Sequence, residues 1–311
     1  MKAIHSLKSD KMRPMLEALG GPSVLKPAIQ IMALSAVTIR EHFDDFVLIT
    51  DSAGRRMAEQ CRLPYTSIVE VGDSFGSDPS FWIHSKLHAY KNAGGPFVHF
   101  DNDLFLWEPL PKAYLEADVF AFHSETFLWG RYEQYRTALE SSGLSLPKLH
   151  EKFPSSRMPV NMAVFGGNDH ESIAHYAGYV LEYLDDHEGF LDATPAQKEA
   201  LEFGIAYLEQ LWATYLIQDV RQVRIELLLT EEQALKGLQV PGVALTHLHG
   251  AKQQAMKDGK IQELMFKIGC KLREWSPEVY SAVERYTDPS VDVDSMIKEQ
   301  GNGQNPAGQD A

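Results

Sequence analysis

The strongest constraint on the fold is an alternation of short apolar runs with stretches of helical periodicity in the N-terminal part of the chain. Lys2 to Leu7 is a β-prone run, and from Pro27 to His42 the residues Ile29, Met32, Ala33, Val37 and Ile39 recur at helical spacing. FVLIT then reads as a buried strand closed by Asp51, SAGRRMAEQC as a helix, and Ser67 to Val71 as a third strand. Pro79 to Ala93 reads as a helix, and the break at Gly94-Gly95-Pro96 releases the chain into FVHF, which stops at Asp101. Strand and helix in turn predict an α/β fold with a mostly parallel central sheet and helices on its faces.

Beyond Trp107 the pattern predicts a strand from Asp118 to Phe122, a polar helical insertion over Arg131 to Glu151, and a strand VNMAVFGG from Val160 to Gly167. Helices follow to Gln218, then late strands in VRQVRIELLL and VALTHLHG. The C-terminal part is helical from Ile261 to Tyr286, with Ser276-Pro277 as a cap and first turn. From Asp288 the chain is poor in apolar residues and rich in Gly, Pro, Asn and Gln, so ordering it would cost more entropy than burial returns. The expectation is one main domain over 1–287 and a disordered tail over 288–311, with no internal repeat.

Hydrophobic residues make up 44% of the chain, enough for a sizeable core. Lys plus Arg total 29 against 43 Asp plus Glu, a formal charge of -14, which argues against a surface built to collect nucleic-acid phosphates and suits an acidic, metal-binding cleft. Cys61 and Cys270 lack the paired spacing of a zinc site and read as free thiols. No apolar run reaches the roughly 20 residues that span a bilayer, and the start MKAIHSLKSDKM lacks the apolar stretch of a signal peptide, so the expected location is cytoplasmic.

Chemistry concentrates in PFVHFDNDLFLWEPLP, Pro96 to Pro111, where an apolar strand delivers Asp101-Asn102-Asp103 at its carboxyl end. Ligands of open α/β sheets collect at that edge, and two carboxylates two residues apart can turn toward one cleft as hard oxygen donors for Mg²⁺ or Mn²⁺. The spelling alone is weak, since Asp292-Val293-Asp294 has it too, with no strand before it. Context separates the two.

FVHFDNDLFLWEPLP resembles the Asp-x-Asp segment of metal-dependent GT-A glycosyltransferases. VNMAVFGG is similar to that family's Asn-x-Gly-Val segment near the donor sugar, and THLHGAK to the His-x-x-Gly-x-x-Lys segment of family 8 glycosyltransferases, in the same order along the chain. The resemblance implies a GT-A, Rossmann-like sheet with a helical C-terminal part. It also implies a nucleoside diphosphate sugar donor, a UDP-sugar first, and Mn²⁺ or Mg²⁺ as cofactor. The acceptor it implies is a glycan, a protein or a small molecule. Position by position, Asp101, Asp103 and His247 become metal ligands, Gly250 allows close approach to the diphosphate, and Lys252 neutralises phosphate charge. Lys252 stands one residue earlier than the family spacing, Ala163 replaces its usual Gly, and His249 is a rival to His247 if the strand continues far enough to put both on one face.

Other candidates carry two readings each. WIHSKLHAY sets Trp82, Lys86 and Tyr90 on one helix face, with Lys86 reaching either the donor or a carboxylate. Asp51 is a nucleoside ligand or a helix cap, and His5 and Ser6 end the first strand, whose loop faces the nucleotide in such sheets. Asn161 is a sugar ligand or a turn cap, and Asn102 sits between the two aspartates. Glu209-Gln210 resembles the acidic-Gln pair that faces the acceptor in related transferases, where Glu209 would be a base, against an ordinary exposed helix Glu. Two rival functions share the carboxylate pair: nucleotidyl transfer, for which LKSDKMRP lacks a Gly-rich phosphate loop, and sugar-nucleotide or glycan binding without turnover.

Overall fold

The computed structural model describes residues 1–8, 25–71, 83–125, 129–141, 158–185, 204, 207–230, 232–233 and 245–286. Its strands are β1 Lys2–Leu7, β2 Phe46–Thr50, β3 Ser67–Glu70, β4 Phe97–Phe100, β5 Leu104–Leu106, β6 Val119–Ser124, β7 Val160–Gly167, β8 Ile225–Leu227 and β9 Leu245–His247. The helices are α1 Leu25–Arg40, α2 Ser52–Gln60, α3 His84–Lys91, the single turn α4 Lys112–Leu115, α5 Trp129–Ser141, α6 His170–Asp185, α7 His249–Lys257, α8 Ile261–Trp275 and α9 Pro277–Arg285. Between α6 and β8, two π-helical segments, Tyr207–Leu211 and Tyr215–Val220, flank Trp212–Thr214.

Seven strands form one sheet in the order β3-β2-β1-β4-β7-β6-β8. All are parallel except β7, which runs antiparallel to β4 and β6 on either side. This is the mainly parallel, helix-flanked α/β arrangement read from the alternation, and it is consistent with a GT-A, Rossmann-like fold. The parallel strands β1, β2 and β4 are buried along almost their whole length because helices cover both faces, which is why they read as continuous apolar runs.

On one face, α3, α6 and the π-helical stretch pack on Ile4, Val47, Phe97, Val119 and Phe165. On the other, Val98, Phe100, Phe120 and Val164 meet α1 and a small two-stranded ribbon of β5 and β9. Helices α8 and α9 then cover the outer side of α1. That second layer explains why Ala28 to Ile39 is buried without interruption, as expected of a helix with no solvent face. The polar residues in that stretch have work inside the core: Ser35 Oγ donates to Leu104 O at 2.5 Å, and Thr38 Oγ1 accepts from Leu106 N at 3.2 Å, so α1 grips β5.

Several boundaries move. The first helix runs Leu25–Arg40 instead of 27–42, the run 220–229 yields only β8, and the described residues of VALTHLHG form β9 before the chain turns into α7. Strand β5 was not legible as a strand at all, since three residues cannot show a period. Residues 79–82, 142–151 and the tail over 288–311 lie outside the described residues. Among the described residues no helix is long and apolar enough to cross a membrane.

Glycine is required where β7 meets β4. A Cβ on Gly166 would stand 2.1 Å from Phe97 O and 2.7 Å from Val98 Cα, and neither backbone atom can yield. Gly166→Ala is expected to lower unfolding stability by about 1–3 kcal/mol, the range for overpacking, in urea titrations; an unchanged midpoint would show that the strands separate freely here.

Candidate metal centre and donor cavity

Strand β4 ends at Phe100, and the chain turns at once: Leu104 N donates to Asp101 O at 3.0 Å, so Asp101, Asn102 and Asp103 form a tight corner at the carboxyl edge of the sheet. Two neighbours fix that corner. Asp101 N donates to Ala163 O at 2.8 Å, and Asn102 Nδ2 donates to Ser6 O at 2.8 Å, tying it to β7 and to the end of β1. Ala163 is packed in the core.

His247 arrives by sheet pairing. In the β5–β9 ribbon Leu104 faces His247 in antiparallel register, Leu248 N donates to Asp103 O at 3.1 Å, and Trp107 Nε1 donates to Thr246 Oγ1 at 3.0 Å. His247 Nε2 consequently stands 3.4 Å from Asp103 Oδ1 and 3.9 Å from Asp101 Oδ2, and one donor atom from each of the three residues falls within 4.8 Å of the others. Two carboxylate oxygens and one imidazole nitrogen are a donor set that fits Mn²⁺ or a similar divalent ion.

Two lysines compensate the carboxylates. Lys252, 149 residues from Asp103 in sequence, puts Nζ 2.5 Å from Asp103 Oδ2. Lys86 puts Nζ 2.6 Å from Asp101 Oδ1 and 2.8 Å from Glu209 Oε1. Burial alone would push the Asp103 carboxyl up, but the hydrogen bond and charge of His247, with the Lys252 ammonium, hold it well below the usual carboxylate range. Burial likewise disfavours the Lys86 ammonium, yet Asp101 and Glu209 more than offset that and keep it above the ordinary lysine value.

Beside these groups lies a cavity of about 260 Å³. Leu7, Ala28, Ile31 and Met32 make an apolar wall; Ser6, Ser85, Lys86, His99, Asp101, Asn102, Asp103 and Lys252 make a polar one, and Lys8 completes the lining.

A family model described as a family of unknown function, DUF6734, matches residues 1–286. The chain belongs to that family. No curated protein matches it. Among solved structures it is similar to mouse xyloside xylosyltransferase 1 in its apo form, at 8% identity over 68% of this chain and 82% of that one, with a TM-score of 0.34. At that level neither substrate nor mechanism transfers.

The DUF6734 chain brings Ser6, Lys86, Asp101, Asn102, Asp103, His247 and Lys252 together. It places others elsewhere. His5 is buried with Nδ1 2.9 Å from Tyr65 Oη and Nε2 3.2 Å from Ser35 Oγ, and burial lowers its pKa to about 3 against a smaller opposing pull from Asp103. Asp51 caps α2, accepting from Gly54 N at 2.7 Å. Strand β9 stops at His247, and the backbone at His249 and Gly250 opens helix α7.

Glu209 is the largest departure. The sequence allows an exposed helix residue or an acceptor-facing base, whereas Glu209 is 1% exposed, on a π-helical turn, with its carboxylate on Lys86. Burial raises its pKa, Lys86 opposes, and Asp101 adds to the rise. One functional candidate went unread: Glu125, buried, accepts from Asn161 Nδ2 at 2.7 Å and from the Tyr132 hydroxyl, which also contacts Gln210. The available signal was its position closing the apolar run VFAFHS, as Asp101 closes FVHF. Asn161 thus has its amide nitrogen on Glu125 and its carbonyl oxygen on Ala163 N at 3.0 Å.

Proposed function

We propose that this protein transfers a sugar from a nucleoside diphosphate sugar, a UDP-sugar first, to an acceptor, with a divalent metal held by Asp101, Asp103 and His247. The observation that carries the reading is the convergence of these three donors, from a strand-end corner and a remote strand, beside a cavity that Asp101 and Asp103 line at the carboxyl edge of a mainly parallel sheet. When bound, the metal supplies Lewis-acid stabilisation of the charge that develops on the departing diphosphate.

The chain's own groups have separable parts in this reading. Lys252 lies on the cavity and on Asp103, so its ammonium can exchange a carboxylate for phosphate oxygens with a small swing of a flexible stem. Lys86 is held at the cavity by two carboxylates, and its fixed charge faces the same anion. Glu209 is a positioning residue for Lys86: a buried carboxylate already paired with an ammonium has no open path to an acceptor hydroxyl. Asn161 and Glu125 form one hydrogen-bonded unit that can offer a sugar hydroxyl both donors and acceptors.

One observation favours a second reading. Each aspartate already has an ammonium beside it, an arrangement that also suits a sugar-nucleotide binding protein without turnover. Donor hydrolysis measured with added Mn²⁺ over a panel of UDP- and GDP-sugars separates the two. Within the transferase reading, His247→Ala is expected to weaken Mn²⁺-supported donor binding by about tenfold or more and Mg²⁺-supported binding much less, because imidazole nitrogen favours the transition metal. Equal losses with both ions, read by calorimetry, would remove His247 from the ligand set.

A further inference from the structure

The two aspartates of the centre do not turn all four of their oxygens the same way. Asp101 Oδ1 is buried with Lys86 Nζ at 2.6 Å, while Asp101 Oδ2 is the oxygen that lies 3.9 Å from His247 Nε2. Asp103 divides likewise, with Oδ2 on Lys252 and Oδ1 3.4 Å from the imidazole. The two ammoniums differ in how firmly they are held. The Lys252 side chain is 21% exposed and pairs with Asp103, so it can leave for a phosphate. The Lys86 side chain is 11% exposed and is gripped by Glu209 as well, at 2.8 Å. Glu209 is itself buried on a π-helical turn, where the Tyr176 hydroxyl donates to Glu209 O at 2.7 Å. Withdrawing the Lys86 ammonium would leave buried carboxylate without its cation, the costly way to break such a pair.

We propose that Lys86 is a positioning residue that sets ion selectivity: by holding Asp101 Oδ1 it limits that carboxylate to one bond with the ion, so the centre takes Mg²⁺ or Mn²⁺ and discriminates against Ca²⁺; this rests on the metal-centre reading above. Ca²⁺ gathers about six to eight oxygens and commonly takes both from one carboxylate, whereas Mg²⁺ keeps a tight octahedron that single oxygens and water complete. An ion that reached for Oδ1 as well would stand beside the Lys86 ammonium, like charge against like, in a site that solvent screens poorly. Ca²⁺ and Mg²⁺ are the informative pair. Both prefer oxygen, so their ratio reads how many oxygens the chain can offer.

The test removes Lys86 and Glu209 together. Lys86→Met combined with Glu209→Gln takes away one formal charge of each sign, so the net charge of the site is kept while Asp101 is freed to turn. Affinity of the full chain for UDP is measured by calorimetry in saturating Mg²⁺ and in saturating Ca²⁺, with melting midpoints as a fold control. UDP's own preference between the ions is common to both proteins and cancels when they are compared, as does any loss of affinity that follows from removing an ammonium near the diphosphate. The proposal expects the wild type to bind UDP about tenfold or more weakly in Ca²⁺ than in Mg²⁺, and the double variant to close that gap by about fivefold or more. A gap of equal size in both proteins, or none in the wild type, ends the proposal and leaves the donor reading standing. If the wild type binds UDP in neither ion, nor in Mn²⁺, the donor reading itself fails. Should the double variant unfold, wild-type crystals soaked in Mn²⁺ and in Ca²⁺ decide: Oδ1 still on Lys86 supports the proposal, and Asp101 with both oxygens on either ion overturns it.

Discussion

Asp103→Asn is expected to reduce Mn²⁺-supported donor turnover by about a thousandfold or more while leaving the chain folded, a loss of the several kcal/mol that a metal contributes to transition-state charge. The substitution is isosteric, and its main-chain anchors survive it: Asp103 O still accepts from Leu248 N, and the corner remains tied through Asn102 to Ser6. What changes is charge. Asp103 is the carboxylate nearest His247 and Lys252, so a neutral amide there removes one anionic donor from the centre and leaves the Lys252 ammonium facing a dipole. Lys252→Gln is the informative comparison. It removes a cation without touching the ligand set, so donor affinity should fall at every metal concentration, whereas Asp103→Asn should shift the metal dependence itself. Turnover by Asp103→Asn at the wild-type rate and the wild-type Mn²⁺ requirement would end the metal-centre reading.

Much of the architecture was legible because local pattern and tertiary demand agree in it. Strand β7 spans the residues its apolar run marks, Val160–Gly167, and β1, β2 and β4 stand where apolar runs end at polar residues. The residues alone make only the first half of the site legible. Asp101 and Asp103 announce themselves by following an apolar strand; His247 is reached only through the resemblance of THLHGAK, because its meeting with them rests on a three-residue pairing between β5 and β9 that no local period shows. The same limit hid Glu209. Of its two readings, acceptor-facing base or exposed helix residue, the second assumes a regular amphipathic helix, whereas Tyr207–Leu211 is a π-helical turn that departs from that register and the carboxylate is buried on Lys86. Asp51 and His5 show the converse: residues at the right edge of the sheet whose side chains are taken by a helix cap and by the core.

The burial of His5 makes the fold acid-sensitive well above the range where carboxylates titrate. Burial holds the imidazole near a pKa of about 3, against 6.5 when the chain is unfolded, and the attraction of Asp103 offsets only part of that. Between these values the unfolded state binds a proton that the folded state refuses, so the stability His5 contributes is complete above pH 6.5 and is lost as pH falls toward 3. The shift corresponds to about 3 kcal/mol lost by pH 4 and about 4–5 kcal/mol when the loss is complete. His99, lowered by burial and by Lys86, adds a loss of the same sign, and Glu209, raised by burial, works the other way. Comparison with His5→Gln isolates the share of His5. Gln keeps an amide at the Nε2 position facing Ser35 and gives up Tyr65, so the variant should be about 1 kcal/mol less stable at pH 7 and clearly less dependent on pH below it. Urea titrations of both proteins at pH 7, 5.5 and 4 give the two slopes; if they are parallel, His5 takes up its proton in the folded state and the hydrogen bonds to Tyr65 and Ser35 rearrange without cost.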